Sequence, residues 1–197
     1  MERGPLKVGF AFSLSEEGRE GMRHPGLHGV LALALALVGC ADRGSKPTAV
    51  TLMKALPSCE YRCAMATGGV ARLTDGVYVE PAGPDSSTQL TVRLTEFFGL
   101  GDLNGDGDVD AAAVLSTDPG GSGTFYDLVA VVSERDGPRH VATASLGDRV
   151  LVEAVRVANG WVTVDLLTHD SEDSMSAPSV PLKQTYRLID DELLMVR

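Results

Sequence analysis

Four carboxylates and one amide fall within nine residues: Asp102-Leu103-Asn104-Gly105-Asp106-Gly107-Asp108-Val109-Asp110. Like charges this close repel unless a cation sits among them. Side-chain oxygens at the first, third, fifth and ninth positions are those of Asp102, Asn104, Asp106 and Asp110, and Asp108 at the seventh offers its carbonyl. That is an oxygen set for calcium, a hard cation that takes six to eight oxygens at about 2.3–2.6 Å. Gly107 at the sixth position permits the sharp turn by which such a loop wraps an ion. No Lys or Arg lies between Arg93 and Arg135, and that interval also holds Glu96, Asp118, Asp127 and Glu134. The plainer alternative is a solvated acidic hairpin loop. No carbonyl or phosphate chemistry stands beside the loop, so the ion is expected to be structural.

The twelfth position, where an EF-hand carries a bidentate Glu, is Ala113. The flanks do not read as a helix pair either. The loop instead resembles FG-GAP and VCBS-type loops, in which an Asp-x-Asn-x-Asp-Gly-x-x-Asp segment joins two strands around one calcium.

Three cysteines could carry other chemistry. Val30 to Val38 is an unbroken apolar run. Its nine residues rise only about 14 Å as a helix. That is too short for a bilayer but the right length for the apolar part of a signal peptide. Leu37-Val38-Gly39-Cys40 resembles the lipobox of bacterial lipoproteins. The resemblance implies cleavage before Cys40 and acylation of its thiol and new amine, so that more than one acyl chain gives a stable membrane anchor. Residues 1–21 are slightly acidic, unlike a signal's positive start, whereas Met22-Arg23-His24-Pro25 gives a cleaner one. Translation from Met22 is therefore expected. Residues 1–39 are read as signal peptide, 40–48 as a lipidated tether and 49–197 as one domain.

Cys59 and Cys63 would meet an oxidising compartment, where a disulfide is a candidate. On an extended strand, however, their Cα atoms stand about 13 Å apart, well beyond a bridge. Pairing would require a turn between them. His169, followed by Asp170-Ser171-Glu172-Asp173, could serve as a general base with a nearby Asp or Ser. That reading makes the chain a periplasmic hydrolase. A polar loop after a strand is the simpler reading. The glycine-rich Asp118–Thr124 stretch lacks the Gly-Lys-Ser/Thr ending of a phosphate loop. Trp161 reads as core or rim packing.

These residues must be positioned by strands. Leu90, Val92 and Leu94 share one face, and Val162, Val164 and Leu166 share another, with period two. Strands are expected at 59–64, 69–73, 77–80, 89–98, 110–117, 124–134, 139–145, 149–157, 161–168, 182–189 and 193–196. Turns are expected at Asp75-Gly76, Asp136-Gly137 and Asn159-Gly160. The apolar face changes parity between Val152 and Val155, which predicts a β-bulge near Ala154. Thr48 to Leu56 reads as a short helix ended by Pro57. The fold class is therefore all-β: an antiparallel meander forming a small barrel or a sandwich, with at most one short N-terminal helix. About 150 residues cannot supply a full propeller. The net charge of −10 disfavours nucleic acid as a partner.

Together the segments 73–78, 101–112, 120–125, 146–150 and 167–169 resemble an uncharacterised family of bacterial envelope proteins, many of them lipoproteins. Ser176-Ala177-Pro178 stands where related sequences carry Cys-Cys-Pro. The expected role is a non-enzymatic, calcium-stabilised module held at the membrane by its lipid and binding a protein or envelope polymer; the resemblance itself implies an exported β domain. It implies no activity.

Overall fold

The computed structural model describes residues 48–84, 86–174 and 177–196. Cys40, the signal segment and nearly all of the tether lie outside them. The described residues open with a helix, α1 (Ala49–Ala55), whose N-cap hydroxyl on Thr48 accepts from the Thr51 N–H at 3.3 Å. A 3-10 turn, Leu56–Ser58, carries Pro57 and ends it, as the position of that proline requires. Among the described residues eleven strands follow: β1 (Glu60–Arg62), β2 (Val70–Arg72), β3 (Val77–Pro81), β4 (Gln89–Gly101), β5 (Asp110–Asp118), β6 (Phe125–Glu134), β7 (Gly137–Asp148), β8 (Leu151–Ala158), β9 (Trp161–Thr168), β10 (Val180–Ile189) and β11 (Glu192–Met195). The all-β expectation holds.

Every pairing is antiparallel. Strands β3 to β7 form a five-stranded sheet in chain order, β8 to β11 a four-stranded sheet, and β1 and β2 a separate pair. Each large sheet is a meander. Two residues, Arg149 and Val150, carry the chain from β7 in one sheet to β8 in the other. Strand β8 then lies against β4, and β11 against β7. Between the sheets lies one apolar core, with Val114, Leu128, Ala130 and Val141 on one side and Val152, Val162, Val164, Leu166 and Tyr186 on the other.

The five-stranded sheet is buried on its second face too. Leu52 and Leu56 from the helical segment, with Tyr61 and Ala71 from β1 and β2, cover Val92, Ala113, Leu115, Val129 and Val131. Double coverage explains why β5 and β6 contain the continuous apolar runs 111–115 and 128–132 rather than an alternation.

The expected bulge is present. Val152 pairs with Leu166 and Ala154 with Asp165, leaving Glu153 as the extra residue. Asp75-Gly76 and Asn159-Gly160 both turn with positive φ at each central residue, the type I′ geometry that suits hairpin twist. The Asp136-Gly137 turn falls one residue earlier than expected, because Gly137 already pairs with Glu134.

Two features had no sequence expectation. The first is a close approach of β4 to β8. A Cβ on Gly99 would stand 3.0 Å from the Val157 nitrogen and 3.2 Å from the Arg156 carbonyl carbon. Backbone cannot yield as a side-chain tip can, so Gly99→Ala is expected to cost about 2 kcal/mol by overpacking. A chemical denaturation series reads this as a lower midpoint at unchanged slope. The second is the β10–β11 turn, where Asp190 and Asp191 hold φ of 50° and 60° without a glycine. An L-residue pays about 1–2 kcal/mol there, against the small worth of the exposed Arg139–Asp191 ion pair. Asp191→Gly is thus expected to raise the thermal midpoint by about 2–3 °C.

Candidate metal centre

The acidic loop is the connection between β4 and β5, and the strands fix its ends. Gly101, the last residue of β4, pairs with Asp110, the first of β5. Asp102 and Asp110 are therefore presented from the base of one hairpin.

Asp110 is wholly buried. One of its carboxylate oxygens, Oδ2, accepts from the Leu103 N–H and the other, Oδ1, from the Ser133 N–H, each at 2.9 Å. Ser133 completes the anchor by donating its hydroxyl to the Val109 carbonyl at 2.5 Å. Burial pushes the Asp110 carboxyl above the usual carboxylate range. The Ser133 and Leu103 donors pull it back, and the charges of Asp106 and Asp102 push it up further.

The rest of the loop folds around its own oxygens. Asp102 accepts from Gly105 N at 2.7 Å and from Gly107 N at 3.0 Å. Asn104 Oδ1 accepts from Asp106 N at 3.0 Å, and Asp106 Oδ1 from Asp108 N at 2.8 Å. The Asn104 amide donates to Asp106 Oδ2 at 3.1 Å. Gly105 and Gly107 have φ of 85° and 83°, values that an L-residue adopts at a cost. The need for Gly107 was legible in the sequence; Gly105 is a second, equal requirement.

Asp102, Asp106 and Asp110 each bring one carboxylate oxygen to within 4.8 Å of the others. Oxygens spaced in this way can share an ion at about 2.3–2.6 Å. The donor set is all oxygen, which fits a hard cation and not zinc or copper. Asp102, Asp106 and Asp110 make no ion pair among the described residues. Beside the loop runs a cleft bordered by Asn159, Gly160 and Arg187. The Arg187 guanidinium lies over the Trp161 ring, 5.1 Å from its centroid, so Trp161 packs at the rim.

The other candidate residues do not assemble with this loop. His169 lies just past β9, with Nε2 donating to the Arg149 carbonyl at 3.2 Å. Its Nδ1 is buried without a hydrogen-bond partner among the described residues. Asp173 accepts directly from the Ser179 hydroxyl at 2.8 Å, and no hydrogen bond links His169 to either. Asp148, the carboxylate preceding the Arg149 carbonyl, is held by the Arg149 guanidinium at 2.6 Å and by Thr124 N at 2.9 Å.

Cys59 and Cys63 are both free. The extended β1 runs between them. Cys59 is buried against the second face of the five-stranded sheet, where burial raises its thiol.

One polar residue that no sequence signal singles out is His140 on β7. Its Nδ1 accepts from the Arg62 N–H at 3.0 Å, and its Nε2 lies 2.9 Å from the Ala142 carbonyl and 3.0 Å from the Thr143 hydroxyl. Arg62 also donates its guanidinium to the Val141 carbonyl. The Tyr61 ring packs against the imidazole at 5.5 Å. This seam joins the β1–β2 pair to the main sheet.

Comparison with protein-family models, with curated proteins and with solved structures finds no match to this chain.

Proposed function

We propose that the chain is a lipid-anchored protein of the bacterial cell envelope whose β domain is a non-catalytic binding or structural module braced by one calcium ion. The observation that carries the metal reading is the convergence of Asp102, Asp106 and Asp110 on one point while Asp110 is wholly buried. A buried carboxylate with two acidic neighbours and no ion pair among the described residues is costly unless a cation joins it. Asp102, Asp106 and Asp110 would hold the ion, with the Asn104 amide oxygen and the Asp108 carbonyl completing an oxygen shell. The ion would supply neutralisation and a cross-link between β4 and β5. The site is therefore architectural.

The anchor reading rests on the Leu37-Val38-Gly39-Cys40 resemblance and the short apolar run before it. Two measurements test the proposal. Calcium titration by calorimetry is expected to show one ion per chain, and none with Asp106→Ala. Metabolic labelling with a fatty acid is expected to mark the wild-type chain and to leave Cys40→Ser unlabelled. Label that persists in Cys40→Ser, or calcium binding that survives Asp106→Ala, would remove the corresponding half.

A further inference from the structure

A cavity of about 820 Å³ lies between the β1–β2 layer, the main sheet and β11. Its volume is within the range of small-molecule sites. It is separate from the acidic loop and shares no lining residue with it.

Asp127 opens into this cleft from β6, with Ser145 opposite it on β7. Asp127 is half-buried and forms no ion pair among the described residues. Burial lifts its carboxyl above the usual range, and only a hydrogen bond from Ser145 opposes that. Among the described residues the one cationic side chain lining the cleft, Arg62, spends its guanidinium on the Val141 carbonyl. Glu192 adds a second acid, and Asp191 is already paired with Arg139, so two acids without an ion pair among the described residues face one cation on the walls. Met65 and Leu194 give the cleft apolar sides. A half-buried carboxylate without a counter-ion, facing an open space with apolar walls, is complementary to a cation on an aliphatic stem.

We propose that this cleft binds a small organic cation, a primary ammonium on a short aliphatic chain, with its charge seated on Asp127 and its methylenes against Met65 and Leu194. The proposal does not depend on the calcium reading.

The test is calorimetric titration of the purified full chain with 1,4-diaminobutane, beside 1,4-butanediol as the uncharged analogue and sodium chloride at matched ionic strength. Saturable one-site binding of the diamine, with none of the diol, is expected. Asp127→Asn keeps the shape of the side chain and removes its charge, and it should weaken binding at least tenfold. Met65→Arg, at an exposed position, places a cation in the cleft without touching the core and should weaken binding by a similar factor. Asp106→Ala should leave diamine affinity unchanged, so this result and the calcium result can fail separately. No saturable heat, equal binding of the diol, or undiminished affinity in Met65→Arg would overturn the assignment.

Discussion

Removing calcium from the purified chain with a chelator is expected to lower its thermal midpoint by about 5–10 °C relative to millimolar calcium. An ion that binds only the folded state stabilises it by about 2.7 kcal/mol when its concentration is 100 times the dissociation constant. For a domain of this size each kcal/mol moves the midpoint by about 2–4 °C. Two substitutions separate the ion from its scaffold. Asp106 is exposed and its acceptor contacts stay within the loop, so Asp106→Ala should abolish the calcium shift while moving the chelated midpoint little. Asp110 holds the Leu103 and Ser133 N–H groups as well. Asp110→Ala should therefore abolish the shift and also lower the chelated midpoint, because two buried donors lose their acceptor at about 1–3 kcal/mol each. Identical midpoints with chelator and with calcium would sink the metal reading.

The second large effect is acid destabilisation through His140. Burial is the main force on this imidazole and holds its pKa down at about 4, against an ordinary 6.5; the Ala142 carbonyl opposes this, and Arg62 and Arg139 add to it. The unfolded chain thus takes up the proton before the folded one does. Stability from neutral His140 is complete above pH 6.5, falls as pH drops from 6.5 towards 4, and does not change further below that. The displacement corresponds to about 3 kcal/mol over the window. The structural reason is that Nδ1 is already an acceptor for the Arg62 N–H. A proton placed there would set two donors against each other across the β1–β7 seam. Asp110 and Asp127, whose carboxyls are pushed up by burial, act in the opposite sense over the upper carboxylate range. Comparison with His140→Asn isolates the histidine. The variant should be less stable at pH 7 and have a flatter profile between pH 6.5 and 4. A His140→Asn profile as steep as the wild type's over that window would refute the role given to His140.

Much of the fold was legible in local stretches of the chain. The alternation in 161–168 matches β9 residue for residue, since a half-buried strand writes its two faces directly into the chain. The parity change at Val152 and Val155 became the Glu153 bulge for the same reason. The spacing of Asp102, Asp106 and Asp110 foresaw their convergence, because nine residues between paired strands have little freedom to place them elsewhere. Other features were not legible. Nothing near His140 announces Arg62, which lies 78 residues away in sequence. Asp190-Asp191 turns without a glycine because the β10–β11 pairing imposes the turn.

By itself, then, the sequence determined what depends on neighbours along the chain: the strands, the bulge, most turns and the oxygen-rich loop, all governed by side-chain period and backbone preference. The tertiary structure alone decided what depends on distant partners. It set the second layer over the five-stranded sheet, the approach of Gly99 to β8, the burial of Asp110 on Ser133, and the cleft that exposes Asp127 without a counter-ion. Burial and electrostatic cost are properties of the packed whole, and no window of sequence contains the residue that packs against it from another strand.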